Sequence, residues 1–263
     1  MSRPRTYQTE AIVIKKIKLG EADRILTLYT PHLGKIRAVA KGVRRAKAKL
    51  AGQLEMLTHG MISLARGRNL DTIIGCQPVN SFISLKSDLW LAACGLYATE
   101  LVEQFTADHV ENYPLFQRLQ EAMLRLCQEN DNELTLRYFE VQLLNEVGYR
   151  PQLQQCVACH SPLRPTANAF CASAGGVLCP DCRHTHPLSY PLSVNALKVL
   201  RFFQASDYDT ACRLRLSAEL SREMEGVMRG YFRYLLEREI KSATWRDTLR
   251  EQMRTSANQQ AVD

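Results

Sequence analysis

Residues 9–43 read TEAIVIKKIKLGEADRILTLYTPHLGKIRAVAKGV, and this stretch decides the fold of the first part of the chain. Its opening, TEAIVIKKIKL, is rich in β-branched residues and alternates apolar with polar positions, as a strand with one buried face does. DRILTLYT follows the break at Gly20, and the Pro31–Gly34 turn leads into KIRAVAKGV as the second arm of a hairpin. The stretch therefore predicts consecutive β-strands joined by tight turns.

Two further strand candidates extend this pattern. They are EMLTHGMISLA at residues 55–65 and LDTIIGCQPV at residues 70–79, separated by the turn RGRN. Five short strands within residues 1–82, with no long helical pattern between them, favour a small closed or partly open barrel. A generic β-meander is the alternative that strand patterns alone leave open.

From Ser84 onward the apolar residues recur at helical spacing. Asp88 offers a helix start, and helices are predicted over 113–127 and 133–148, with Pro151 just beyond as a stop signal. Helical pattern resumes after Ser193 and again after Ser217. The tail from residue 255 has little to bury, so we expect it to be disordered.

The predicted fold class is thus α+β and multidomain. We expect a β-barrel at residues 1–82, an α-helical domain formed by 83–155 and 188–254, a cysteine-rich insert at 156–187 and a disordered tail at 255–263.

Composition and charge narrow the class of protein. A hydrophobic share of 46% and a charged share of 23% are ordinary for a globular protein, and no apolar run approaches the ~20 residues that span a bilayer. We expect a cytoplasmic protein with no membrane partner. The net charge of +7 arises in the first quarter, because residues 1–68 hold 15 of the 34 basic residues but only 4 of the 27 acidic ones. Such asymmetry indicates a polyanionic partner, or else a solvated basic surface.

Residues 156–182, CVACHSPLRPTANAFCASAGGVLCPDC, contain two C-x-x-C pairs separated by 19 residues. This spacing predicts a zinc site formed by Cys156, Cys159, Cys179 and Cys182, because each tight turn directs two thiolates at one tetrahedral ion. Four protein ligands close the coordination shell, so the zinc is predicted to be structural. Cys171 is expected to be a buried or spare thiol.

Two catalytic alternatives compete with this interpretation. A thioredoxin-like pair requires a helix start after a strand, and neither cysteine pair has that context. A zinc deaminase combines H-x-E with P-C-x-x-C; His109 and Glu111 supply the first half, but Pro180 lies inside the second pair rather than before it. The chain is therefore predicted not to be an enzyme.

A second chemical signal is the basic segment VAKGVRRAKAKLAG at residues 39–52. Phosphate contacts from such a segment give sequence-independent affinity that falls with added salt. Neither of the phosphate-cradling glycine motifs of nucleotide sites occurs in the chain. The predicted DNA-binding residues, on the segment and the strands before it, are Lys15, Lys35, Arg37, Lys41, Arg44, Arg45, Lys47 and Lys49.

Three stretches together resemble a known family. They are GEADRILTLYTPHLGKIRAVAKGVRRAKAKLAG, then YFEVQLLNEVGYRPQLQQCVAC leading into GGVLCPDC, and the late LLEREIKSATW. Their order and sequence are similar to the bacterial RecO recombination-repair proteins over about residues 7–246. The resemblance implies an N-terminal OB-fold barrel and a helical domain that carries a zinc-binding insert.

The resemblance also implies function and partners. It implies binding of single- and double-stranded DNA, strand annealing, and loading of RecA recombinase onto strands coated by single-strand-binding protein (SSB), all in the nucleoid. The implied protein partners are RecR and the acidic C-terminal tail of SSB. Four basic residues late in the chain are candidates for that tail, with a solvated helix face as the equal alternative: Arg229, Arg233, Arg238 and Lys241.

Two other classes of function stay open on the sequence. One is a zinc-ribbon adaptor that does not bind DNA and docks acidic protein tails. The other is a zinc hydrolase or deaminase, which requires an open coordination position.

Overall fold

The protein is described here from a computed structural model, which describes residues 5–45, 48–128, 131–186 and 188–260. The chain divides into two compact units, Met1–Gln128 and Glu129–Asp263. None of the helices in these described ranges is both long and apolar enough to span a membrane.

A closed five-stranded barrel forms the core of the first unit. Its strands are β1 (Thr6–Leu19), β2 (Asp23–Thr30), β3 (Gly34–Ala40), β4 (His59–Ala65) and β5 (Asp71–Asn80). They follow one another in the order β1-β2-β3-β5-β4, and β4 pairs back onto β1. The β3–β5 pair is parallel and the others are antiparallel, an arrangement that matches an OB-type barrel. The predicted five-stranded barrel is confirmed.

Buried and exposed side chains alternate along the strands, which explains why the sheet closes into a barrel around an apolar core. On β3, Ile36, Ala38 and Ala40 point into the buried core, whereas Arg37 between them is exposed. The pleat places alternate residues on opposite faces, so one sequence builds both a dry interior and a charged exterior. A β-bulge in β1 after Val13 shifts its register and leaves Lys15 on the outer face.

The connector between β3 and β4, described at residues 41–45 and 48–58, is anchored although these described residues form no helix or strand. Val43, Leu54 and Leu57 are buried, and Leu57 donates its N–H to the carbonyl oxygen of Val13 at 2.9 Å. The N–H of Arg44 bonds to the carbonyl oxygen of Ala22 at 2.9 Å. These contacts hold the basic part of the connector beside the β1–β2 turn.

Three helices complete the first unit: α1 (Ile83–Ser87), α2 (Leu89–Phe105) and α3 (Tyr113–Gln128). The side chain of Asp88 accepts the N–H of Leu91 at 2.8 Å, which confirms the predicted helix start. The compact division falls after Gln128 and not after Phe82, since these helices cluster with the barrel. The domain boundaries given above stay predictions.

The second unit is helical and carries a small sheet. Its elements are α4 (Asn132–Glu146), β6 (Asn168–Cys171), β7 (Gly176–Leu178), β8 (Ser189–Leu192), α5 (Val194–Ala205), α6 (Tyr208–Ala211), α7 (Ala218–Leu236) and α8 (Lys241–Gln260). The sheet is antiparallel in the order β7-β6-β8. Helix α8 continues through residues 255–260, where we expected disorder, and residues 261–263 of the expected tail lie outside the described residues.

Buried charge joins three helices of the second unit. The guanidinium groups of Arg137 on α4 and Arg246 on α8 are fully buried. Arg246 pairs with Glu133 of α4 at 3.0 Å and with Glu225 of α7 at 3.4 Å, and Arg250 of α8 contacts the same two carboxylates. Burial alone raises the pKa of Glu133, but the three arginines outweigh it and lower that pKa to about 2.

Glu133→Gln is expected to lower the free energy of unfolding at pH 7 by on the order of 3 kcal/mol. The folded pKa of about 2 lies below the ordinary value of 4.5, so the carboxylate stabilises the fold above that ordinary value. This contribution is lost as the pH falls from about 5 towards 2. Thermal melting from pH 7 to pH 3 should show the gap between wild type and variant narrowing. Glu121→Gln, which removes a surface pair with Arg118, is the control; a gap that stays constant with pH contradicts the account.

Candidate metal centre and candidate nucleic-acid interface

The four predicted cysteine ligands meet at one point. The sulfur atoms of Cys156, Cys159, Cys179 and Cys182 all lie within 4.8 Å of one another, and those of Cys159 and Cys179 are 3.8 Å apart. A zinc ion bound tetrahedrally at about 2.3 Å from each sulfur requires sulfur–sulfur distances of about 3.8 Å. The cluster therefore has the size of a four-thiolate zinc site.

Backbone turns after Cys156 and Cys179 position the two thiols of each C-x-x-C pair at the cluster. After Cys156, the N–H of His160 bonds to the carbonyl oxygen of Cys156 at 2.9 Å, with His160 in a left-handed conformation (φ 59°). In the second pair, the N–H of Cys182 bonds to the carbonyl oxygen of Cys179 at 3.1 Å. The N–H of Cys179 also points at the sulfur of Cys156, at 3.4 Å. Such N–H groups stabilise negative charge on sulfur.

The thiols differ in acidity. Hydrogen bonds from the side chain and backbone of Ser161 lower the pKa of Cys159 to about 6. The neighbouring thiols Cys179 and Cys159 raise the pKa of Cys182 to about 12. Four thiolates this close repel one another, so full ionisation requires a cation at the centre. Four soft sulfur donors gathered at one point form a ligand set that fits zinc.

Burial and contacts also test the predictions made for Cys171 and for the deaminase-like motif with Glu111. Cys171 is 1% exposed and packs in a small apolar core with Cys156 and Leu178, as a buried thiol. Within the described residues, the four cysteines are the only group of three or more metal-binding side chains that converge. Glu111, half of the deaminase-like motif, instead contacts His32 at 3.1 Å. The donor set gives no support to the deaminase alternative.

Two of the predicted DNA-binding residues, Lys15 and Arg37, lie on the outer face of the barrel. Lys15 on β1 pairs across the sheet with Thr27 on β2, which pairs with Arg37 on β3. We call Lys15, Thr27 and Arg37 the cross-strand row. Both its cations already have acidic partners: Lys15 contacts Glu103 at 2.8 Å and Arg37 contacts Asp108 at 2.9 Å.

The side chain of Lys35 is buried against the end of helix α2. It is only 8% exposed, and its ammonium donates to the carbonyl oxygens of Glu103 at 2.7 Å and Thr106 at 2.6 Å. These oxygens belong to the last turn of α2, whose carbonyl groups lack helical partners. Lys35 therefore closes the end of α2 onto the barrel and offers little surface to a ligand.

Lys35→Met should lower the free energy of unfolding by on the order of 2–3 kcal/mol, because two buried carbonyl oxygens lose a charged donor. Urea unfolding of the purified protein measures the loss. Lys18→Met, on an exposed position of β1, is the matched control. Equal stability of the two variants would show that the Lys35 contacts carry no net energy.

The basic part of the connector presents four exposed cations: Lys41, Arg44, Arg45 and Lys49. The guanidinium of Arg44 bonds to the carbonyl oxygen of Gly20 at 2.9 Å, which fixes it beside the β1–β2 turn. One carboxylate lies against the connector itself, since Asp23 accepts the N–H of Gly42 at 2.7 Å, whereas Glu55 pairs with Lys16 of β1. Lys47 lies outside the described residues.

Sequence reasoning missed the basic β4–β5 turn. RGRN was treated only as a turn, yet Arg66 and Arg68 are exposed there, and loops at this position contact ligands in OB-type barrels. The guanidinium of Arg66 lies 4.6 Å above the ring of Tyr7, whose hydroxyl donates to Asp71 at 2.6 Å. Burial and this carboxylate raise the pKa of Tyr7 to about 12. The adjacent cleft has a volume of about 820 Å³.

The late basic residues are largely paired. Glu239 contacts Arg229 at 3.5 Å and Arg233 at 3.2 Å, and Arg233 also donates to the hydroxyl of Tyr190 at 2.9 Å. Arg238 and Lys241 are exposed. These ion pairs agree with the alternative interpretation, in which this helix face is simply solvated.

Fold and site define an α+β protein in which an OB-type barrel precedes a helical region with a four-cysteine cluster that could hold a metal ion. The family description "Recombination protein O N terminal" matches residues 1–82, and "Recombination protein O C terminal" matches residues 86–244. The chain belongs to the RecO family, whose members are non-enzymatic mediators of recombination and repair.

Individual relatives are similar in sequence to this protein over almost the full chain. A "DNA repair protein RecO" of Dehalococcoides mccartyi (strain CBDB1) is 43% identical over 250 residues, which cover 95% of this chain and 98% of the relative. The protein of the same description from Roseiflexus sp. (strain RS-1) is 40% identical over 255 residues, 97% of this chain and 90% of that protein. One from Desulforamulus reducens is 31% identical over 245 residues, 93% and 95% of the two chains.

Proposed function

We propose that this protein binds single- and double-stranded DNA through the connector end of its barrel and anneals complementary strands. The observation that carries the proposal is the group of exposed cations on Lys41, Arg44, Arg45 and Lys49, held in place by the anchored connector. Phosphates are the polyanion that such a group neutralises without reading sequence.

Stacking contributes little in this proposal, because the aromatic residues of the barrel segment are occupied. Tyr29 and Phe82 are buried, and Arg66 covers one face of Tyr7. Single-strand binders that trap bases use exposed aromatic rings. A surface that neutralises two backbones and leaves base edges free is suited to bringing two strands together.

The metal centre has a structural role in the proposal. A zinc ion would be held by Cys156, Cys159, Cys179 and Cys182 and would neutralise the negative charge of their thiolates. It would also order the insert, because the apolar core of the insert is small. The four thiolates would complete the coordination shell of such an ion and would leave no position for an activated water.

The partners follow from the family and from charge. We infer that the protein acts in the cytoplasm on nucleoid DNA, together with RecR, and helps load RecA onto SSB-coated strands. The acidic SSB tail is assigned to the surface of Arg229, Arg233, Arg238 and Lys241, where it must displace Glu239 from two arginines.

An annealing assay with a fluorophore and quencher on complementary strands tests the proposal. The wild-type protein should accelerate annealing at about 50 mM salt and lose most of this acceleration by about 200 mM, because phosphate contacts weaken steeply over that range. Acceleration that does not depend on salt, or no acceleration with either strand pair, would contradict a charge-driven annealing surface.

A further inference from the structure

The outer face of β1, β2 and β3 carries basic residues that already have acidic partners. In the cross-strand row, Glu103 reaches Lys15 and Asp108 reaches Arg37; Asp108 also lies 3.6 Å from the ammonium of Lys35. Both acids come from the end of α2 or the segment just after it, more than 60 residues away in sequence. Strands β2 and β3 and their neighbouring loops form the ligand-binding face of OB-type barrels.

The segment after α2 that carries Asp108 is held against strand β3. His109 donates its N–H to the carbonyl oxygen of Lys35 at 2.9 Å, and Lys35 in turn holds the last turn of α2. Gly34 is required at the start of β3, since its φ is 62° and an added Cβ would lie 2.1 Å from the carbonyl oxygen of Val110. This close packing keeps Asp108 over the sheet as part of the folded structure.

We propose that Glu103 and Asp108 act as built-in competitors for phosphate, which limit DNA contact on the barrel face and leave the connector as the main site. The inference rests on the proposed function. A phosphate that reaches Lys15 or Arg37 must displace a carboxylate that is already within hydrogen-bond distance, and that carboxylate repels the incoming anion. The two acids therefore set both the affinity and the number of phosphate contacts.

This arrangement predicts a gain of function on removing the acids. Glu103→Gln with Asp108→Asn keeps the shape of both side chains and frees two cations. Two additional phosphate contacts should steepen the plot of log K against log salt by about 1.4 for single strands and raise affinity about tenfold at 0.1 M salt.

A control with the same change in net charge isolates position from total charge. Glu111→Gln with Glu121→Gln also removes two negative charges from the first unit, but these acids pair with His32 and Arg118. Fluorescence anisotropy with a labelled single strand, at salt concentrations from 50 to 300 mM (about the range in which phosphate contacts dominate), compares the three proteins. Adding Lys15→Gln and Arg37→Gln to the acid-free variant should abolish its gain.

The outcomes separate the two proposals. Tighter, more salt-dependent binding by the acid-free variant than by its control supports built-in competition. Wild-type binding with identical curves for the two double variants overturns the inference and leaves the proposed function standing. If wild type and both variants fail to bind DNA, the proposed function falls and the inference falls with it. A shared melting temperature confirms that the double variants fold alike.

Discussion

Replacing Cys156 with Ser is expected to abolish zinc binding and destabilise the second unit by on the order of 5 kcal/mol or more, a share of the binding energy of a structural zinc. Cys156 is fully buried, and its sulfur receives the N–H of Cys179. Without a cation, the remaining thiols lose their charge compensation. The apolar core beneath them, Cys171 and Leu178 with a few half-buried neighbours, is too small to order the insert alone.

Metal analysis and calorimetry check this prediction. Wild type should contain one zinc per chain and lose thermal stability when a strong chelator removes it, whereas Cys156→Ser should contain none. Cys212→Ser, a half-exposed cysteine after α6, is the control and should retain both metal and stability. A metal-free Cys156→Ser protein that melts with wild type would show that the cluster does not stabilise the fold.

Removing the connector cations is the change expected to affect DNA most. Replacing Lys41, Arg44, Arg45 and Lys49 with Gln removes four phosphate contacts, so the salt slope should fall by about 2.8 units for single strands and affinity should drop by more than about 100-fold at 0.1 M salt. Folding should persist, because all four side chains are exposed while the anchoring residues Val43 and Leu54 are untouched.

A second set of four exposed cations supplies the matched control: Arg150, Lys198, Arg213 and Arg215 changed to Gln. That variant has the same net charge, so equal losses in both proteins would reduce the effect to total charge. If the connector variant keeps DNA binding but loses binding to an acidic peptide, the adaptor function replaces the proposed one.

Local signals explain what the sequence predicted. The alternation of β1 and β3 reports which face is buried, and this pattern is written within each strand. The spacing of the two C-x-x-C pairs reports a metal centre because tight turns fix both thiols locally. The caps at Asp88, Ser193 and Ser217 are likewise within three residues of the N–H groups they accept.

Long-range contacts explain what it did not predict. Lys35 looks like any surface lysine on a strand, and only the fold brings it to the carbonyl groups ending α2. Glu103 and Asp108 meet Lys15 and Arg37 through the same tertiary arrangement. A count of basic residues therefore overstated the charge of the barrel face, while Arg66 and Arg68 went unnoticed in a segment read only for its turn.

Hydrogen–deuterium exchange with and without a bound single strand tests the central claim most directly, because it locates the contact on the intact protein. The account predicts slower exchange at the connector, where Arg44 and Arg45 donate their N–H groups to nearby carbonyl oxygens, and no change over the cysteine insert. Protection of residues 156–182 with an unchanged connector would contradict the account and make the metal centre the DNA reader.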